Sequence, residues 1–435
     1  MKKIALLGML LLLACTANTQ TPSGSRQRYG HGLRHTGSDK TVHTIFTNPG
    51  EDASTMMNIS FATPVGTEAV VEVTGGGEIQ RFLSNSELCT TFDSIYSKLH
   101  DNTNVYERHV FDKHSATLMG LKPNTDYKYR IIADSAEYRI ATDYHTFRTA
   151  GADSWKAGIV GDIHHYSPMW FRLEAAMDMV DVLDSVAGGL DWMISTGDQC
   201  AWGGSYNFWT ELSEQPNYMK YMWATVQGNH DHMDRESNKS DAFFRDSHAN
   251  PLNGYEGQEG VAYWFKYGDV LFLMLNNEAM LSAASLEPVF DWMDYVVNEN
   301  PSKYIVVVEH HQWLIGTDGG NSQLDRFRKV FDRLGVDLAI SGHNHAYLRT
   351  YPLFNREPVE PEEGTFYVVN SSSDDNRGRA LKPLKANKNI IAERWSEGPK
   401  TVGGMVMDVN PERIIMTLYD RYGDVHDSFT VPAKR

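Results

Sequence analysis

Five times along this chain, a short apolar run stops abruptly in a cluster of Gly, Asp, Asn and His. Lys156-Ala157-Gly158-Ile159-Val160 runs into Gly161-Asp162-Ile163-His164-His165, and the run from Leu190 to Ser195 is followed by Gly197-Asp198-Gln199. A third cluster is Val226-Gln227-Gly228-Asn229-His230-Asp231-His232. Tyr304-Ile305-Val306-Val307-Val308 then meets Glu309-His310-His311, and Val336-Asp337-Leu338-Ala339-Ile340 meets Ser341-Gly342-His343-Asn344-His345. Apolar runs of this length read as buried strands, and open α/β sheets gather their functional groups just beyond strand ends. A single Gly-Asp is an ordinary turn and a single H-x-H an ordinary loop. Five clusters in series require a fold that brings several strand ends together.

The segments between the clusters supply such a fold. Phe171 to Val186 carries Leu173, Ala176, Met177, Val180 and Leu183 at helical spacing, and Pro288 to Val297 and Leu324 to Leu334 also read as helices. Tyr263 to Phe265 and Val270 to Leu275 read as a β-ribbon. The tail is β at Gly404 to Val409, Ile414 to Tyr419 and Phe429 to Val431. Residues 151–435 are therefore expected to form an α/β sandwich, two packed sheets flanked by helices.

Residues 40–150 differ. Thr55 to Phe61 and Ala69 to Thr74 alternate with period two, and Gly75-Gly76-Gly77 punctuates them. Lys122-Pro123-Asn124 is a turn before a strand that puts Tyr127 and Tyr129 on one face. An all-β sandwich is expected here. His109, His114 and His145 are scattered through it and read as packing or surface residues.

At 435 residues the chain is long enough for two cores. Before them, Lys2 and Lys3 precede an apolar run from Ile4 to Ala14, too short to span a bilayer, and Cys15 follows directly. Residues 1–15 resemble a bacterial lipoprotein signal ending in a lipidated Cys15. Residues 16–39, rich in Ser, Thr, Gly and Arg, read as a flexible tether. The expected product is exported and membrane-anchored, facing the periplasm or the cell surface. Cys89 and Cys200 fall in different domains and are not expected to pair. The formal net charge of −16 argues against a nucleic-acid-binding face. It does not exclude anionic substrates, because bound metal ions reverse the local field.

Carboxylates, imidazoles and one amide oxygen suit a pair of borderline metals such as Fe, Mn or Zn. The series GD-x-H, GD, GNHD, a strand ending in His, and GH-x-H resembles the calcineurin-like metallophosphoesterase superfamily. With the β module in front, which resembles a fibronectin type III-like domain, the chain looks like the purple acid phosphatase branch. That resemblance implies a first metal on Asp162, His164, Asp198 and His345. It implies a second on Asp198, Asn229, His310 and His343, with Asp198 as the bridge. It also implies that His230 is a general acid or charge stabiliser oriented by Asp231, and that a metal-held hydroxide attacks phosphorus in line. The expected substrate is a small phosphate ester, first a monoester; a phosphodiesterase or nucleotide-cleaving enzyme is the alternative. A binding protein with a vestigial metal domain is the rival of another class, set against a complete inferred ligand set.

Two positions depart from the pattern. The tyrosine ligand of purple enzymes would fall at Ala201, with His164 in its place, so a purple chromophore is not expected. Gln312 stands where proline usually follows the fourth-strand histidine, leaving His311 as a rival to His310. On the substrate side, Arg349 could offer a bidentate fork to phosphate, and Tyr166 and Trp313 could stack on a base or sugar. The stretch from Asp246 to Gly260 is a loop placed over the cleft in this reading. Ser371 to Leu381, with Asp374, Asp375, Arg377 and Arg379, is a polar loop of unassigned role.

Overall fold

The computed structural model describes residues 40–95, 105–151, 154–232 and 242–434. The leader, the tether and Cys15 lie outside the described residues.

Alternation shapes the first region. In the strand Asp126–Asp134 every second side chain is buried, and Tyr127, Tyr129, Ile131 and Ala133 face inward. This strand belongs to a sheet ordered Gln80–Leu83, Glu68–Gly75, Asp126–Asp134, Arg139–Ala141, with His145–Arg148 also paired to Asp126–Asp134. A second sheet, ordered His43–Pro49, Met57–Thr63, Val105–Leu118, Asn85–Ile95, packs against it through Ile59, Phe61 and Leu118. The result is the expected antiparallel sandwich. His109 and His114 are buried packing residues, and the His114 ring stacks on Phe61.

In the second region the apolar runs are buried on both faces, so they read as continuous rather than alternating. Val306 and Val308 face the space between two sheets, whereas Ile305 and Val307 face an outer helical layer. The first sheet is ordered Trp223–Thr225, Trp192–Ser195, Trp155–Val160, Gly403–Val409, Arg413–Asp420, Val425–Pro432. Its first three strands are parallel. The second is ordered Tyr263–Tyr267, Val270–Met274, Tyr304–Val308, Leu338–Ser341, Phe366–Val369, Tyr347–Thr350, Ile391–Trp395. Helix Phe171–Ala187 covers the first sheet, and Glu287–Glu299 and Leu324–Leu334 cover the second. The tail strands fall in the first sheet, which completes the α/β sandwich.

The module is docked rather than strung out. Phe46 is buried against Trp209, Tyr218 and His248. Asn48 is fully buried; its Nδ2 donates to Trp223 O at 3.0 Å and its Oδ1 accepts from Ala249 N at 2.9 Å. Ser60 Oγ donates to Ser247 O. The stretch from Asp246 to Gly260 is thus wedged against the module and not laid over the strand ends. Its backbone at Ser247 and Ala249 and the Asn253 side chain serve that junction, which is a correction to the expected cleft loop. Cys89 and Cys200 are both buried and free.

Candidate metal centre

All five polar clusters arrive at one place, because the parallel strands of both sheets end on the same side. The loops lock one another. Asp162 N donates to Gly197 O, His164 N to Asp198 O, and Gly342 N to His310 O. Glycine is required where these turns touch: a side chain at Gly228 would collide with the Asp198 carboxylate, and one at Gly161 with Thr196 Oγ1.

Five of the seven expected ligands adopt left-handed backbone: Asp162, His164, Asp198, His343 and His345 have φ between 47° and 68°. Non-glycine residues rarely occupy this region, and strain of this kind collects at functional sites. Here it turns the side chains back across the strand ends.

Three groups of possible ligand atoms result. Asp162, His164 and His345 form one, Asp198, His310 and His343 another, and His164, Asp198 and His230 a third. Asp198 Oδ2 lies 3.0 Å from His164 Nε2 and 3.2 Å from His310 Nε2. A single carboxylate oxygen therefore touches both sides. Asp162 Oδ1 stands 3.5 Å from His345 Nε2 and, among the described residues, has no hydrogen-bond partner. On the other side, His310 Nδ1 donates to Thr196 O at 2.8 Å. Its Nε2 then faces Asp198 Oδ2 and Asn229 Oδ1, each at 3.2 Å, and His343 Nδ1 at 3.1 Å. One nitrogen cannot satisfy three such neighbours with a proton; a cation can. The donor set therefore fits transition-metal ions of the Fe, Mn or Zn type.

The electrostatics agree. Burial alone would lower His310, but the Asp198 carboxylate overrides it and pushes the imidazole up to about 10. Burial likewise works to raise Asp198, yet His310 and His164 hold it well below the usual carboxylate range. Asp162, dominated by burial, rises to about 6. The cluster draws positive charge towards itself.

Between the adjacent histidines, His310 is the one in the cluster. His311 bonds Glu278 at 3.0 Å and stacks on His343. His230 Nδ1 donates to Ala201 O at 2.9 Å, which leaves an Nε2 lone pair facing inward. Burial lowers this imidazole to about 4. Asp231 does not orient it. Its carboxylate accepts from Cys200 N at 2.9 Å and Gly228 N at 3.0 Å, so it pins two of the loops, a correction to its expected role.

Three substrate-side expectations fail. Arg349 is committed to Asp427 through two bonds of 2.7 and 3.1 Å and lies over Phe429. Trp313 is fully buried among Phe327, Phe331 and Tyr367 in the outer layer. Tyr166 is buried with its ring against Trp202 and Phe208, which leaves no face for stacking. Each lies within four residues of a ligand in sequence but packs away from the cluster.

The loop after Phe366–Val369 supplies two groups that had no assigned role. Asp374 is buried, with Oδ2 3.5 Å from His164 Nδ1, the position from which a carboxylate orients a ligating imidazole. Arg377 reaches His230 Nε2 with Nη1 at 3.2 Å and Nη2 at 3.3 Å. The signal was present: Phe366–Val369 is a sixth apolar run ending in a polar cluster, paired in parallel with Leu338–Ser341.

Known proteins resemble this chain. Residues 156–347 match the family described as calcineurin-like phosphoesterase. Purple acid phosphatase 15 of Arabidopsis thaliana is 20% identical over 309 residues, which cover 62% of this chain and 57% of that protein. Purple acid phosphatase 21 of the same plant is 21% identical over 308 residues, covering 65% and 63%. The chain thus spans less than two thirds of the length of these relatives. Among solved structures, purple acid phosphatase PPD1 from yellow lupin (Lupinus luteus) seeds matches with a TM-score of 0.70 at 15% identity, covering 90% of this chain and 74% of that one. PhoD matches with a TM-score of 0.53 at 12% identity, covering 90% and 92%. The strand-end clusters that carry the candidate ligands thus all fall within residues 156–347, the part of the chain that matches the calcineurin-like phosphoesterase family.

Proposed function

We propose that this protein hydrolyses small phosphate esters, monoesters first, at a two-metal centre. The observation that carries the reading is Asp198, whose one oxygen sits between two complete donor groups. In this reading Asp162, His164, Asp198 and His345 hold one ion, and Asp198, Asn229, His310 and His343 the other. When bound, such a pair activates water near neutral pH and polarises a phosphoryl oxygen. The chain's own contribution is to hold seven ligands rigidly on the ends of two sheets. Asp374 keeps His164 oriented, and Ala201 O keeps the His230 proton on Nδ1. His230 Nε2 therefore accepts a hydrogen bond at the site, and a proton-donor role requires that it first take up a proton.

The diester reading rests on the Asp162-x-His164 pair, in which a histidine supplies the ligand that a tyrosine at the position of Ala201 would supply in purple enzymes. Turnover of nitrophenyl phosphate against bis-nitrophenyl phosphate separates the two readings. The purified chain lacking residues 1–15 is expected to hold about two metals and to hydrolyse the monoester faster. No metal and no turnover after addition of Mn, Fe or Zn would reject the enzyme reading in favour of a binding protein.

We also infer export and membrane anchoring through a lipid on Cys15. Lys2, Lys3 and the apolar run to Ala14 support this reading. Replacing Cys15 with Ser should release the protein from membranes; retention of the variant in the membrane fraction would reject the anchor. Among the described residues, no helix is long and apolar enough to cross a membrane.

A further inference from the structure

Arg377 is half-buried beside the metal centre, and among the described residues no carboxylate pairs with it. Among the described residues its guanidinium has one hydrogen-bond partner, the neutral Nε2 of His230. The nearest carboxylate on its own loop is already in use. Asp374 Oδ2 faces His164 and lies 3.9 Å from Arg172 Nε, while Asp374 Oδ1 accepts from the backbone N–H groups of Asn376 and Arg377. Asp374 thus nails down the peptide that carries Arg377 and does not itself neutralise the guanidinium, nor does any other carboxylate among the described residues.

A partly desolvated cation without a counter-ion is costly, and two bound metal ions nearby would repel it. The cost is offset only when an anion stands between the guanidinium and the metals. An arginine fork suits the oxygens of a phosphoryl group, and N–H groups of Arg377 not turned to His230 remain available for it.

We propose that Arg377 binds the phosphoryl end of the substrate and selects dianionic monoester ends over diesters. A monoester end has a third non-bridging oxygen and a second negative charge, and a diester lacks both. This rests on the phosphoesterase reading above. Arg377 is anchored through its own N–H on Asp374, so the fork is presented in a fixed place rather than on a free loop.

The test uses the full mature chain loaded with metal, and the Arg377→Ala and Arg377→Lys variants. Metal content should equal that of the parent in both. Inorganic phosphate, titrated calorimetrically near pH 7.5, should bind Arg377→Ala at least tenfold more weakly, with Arg377→Lys in between because it keeps the charge and loses the fork. Monoester kcat/KM should fall much further than diester kcat/KM. Unchanged phosphate affinity, or equal losses on the two esters, would overturn the proposal. A parent enzyme that binds phosphate through Arg377 but turns over neither ester would instead reject the functional reading and keep the anion site.

Discussion

The junction between the β module and the α/β sandwich and the candidate metal centre are both buried meetings of loops, but they are built in opposite ways. At the junction, apolar rings fill the space and each polar group of Asn48 finds a partner. At the metal centre, acceptors face acceptors and five side chains sit on left-handed backbone. The junction is at a free-energy minimum as it stands, whereas the centre reaches one only with cations. Folding is therefore paid for at the first place and drawn upon at the second.

The sharpest way to break this contrast is Asp198→Ala. Activity should fall on the order of 10³-fold because metal stabilisation of the transition state is lost. Without metal the variant should also unfold earlier than the parent, because it loses the pairs of Asp198 with His164 and His310 and the bond from His230 N, and chelator should lower the unfolding temperature of the parent alone. Elemental analysis, turnover and thermal unfolding with and without chelator check this; a variant that keeps its metal, or whose unfolding temperature still falls with chelator, would show that the centre assembles without Asp198.

Phe46→Ala attacks the other side. Removing a buried ring should cost about 3–5 kcal/mol of stability. Activity per folded molecule, corrected by active-site metal content, should stay close to that of the parent. Urea denaturation gives the first quantity; a comparable loss of kcat would mean that the junction also positions the site.

Acid tests the junction and the module when read as the difference between the parent and a His114→Gln variant, because the ligands titrate over part of the same range. Burial lowers His114 to about 4 and His248 to about 3, both below the ordinary histidine value of about 6.5. Between those values the unfolded chain binds more protons than the folded one, so stability falls as pH falls from about 6.5. The slope should approach about 1.4 kcal/mol per pH unit for each histidine. Unfolding midpoints at pH 7.5 and 5.0 measure it, and His114→Gln should flatten the slope. An enzyme equally stable at both values would contradict the assignment.

The smallest effect is expected from Arg349→Lys. The two-bond fork to Asp427 is lost, at about 1–2 kcal/mol of stability. KM for a phosphate monoester should not change, and a rise of several-fold would restore Arg349 as a substrate contact.

Much of the site was legible because each ligand lies within a few residues of the strand that carries it. Gly161-Asp162, Gly197-Asp198, Asn229, His310 and His343 to His345 all follow apolar runs directly, so local sequence reports their position on the sheet end. The helix read from Leu324 to Leu334 has those bounds in the structure because its apolar residues are strictly periodic. Arg349, Trp313 and Tyr166 misled for the same reason that the ligands did not. Proximity along the chain predicts which end of a strand a residue occupies, but not which face. Tyr347 and Arg349 both reach Asp427 in the other sheet. The short helix Tyr206–Ser213 was not read, since all eight of its residues are buried and show no polar face.

By itself, the sequence determined the strands, their polar ends and the donor chemistry, because these depend on local pattern and residue type. Only the tertiary structure decided that His310 rather than His311 faces Asp198, and that Asp231 pins loops rather than orienting His230. It alone brought Asp374 and Arg377 from a late loop to the site. Those outcomes depend on which strands pair in parallel and how two sheets pack, and such contacts link residues as far apart as His230 and Arg377. Short-range pattern carries no record of them.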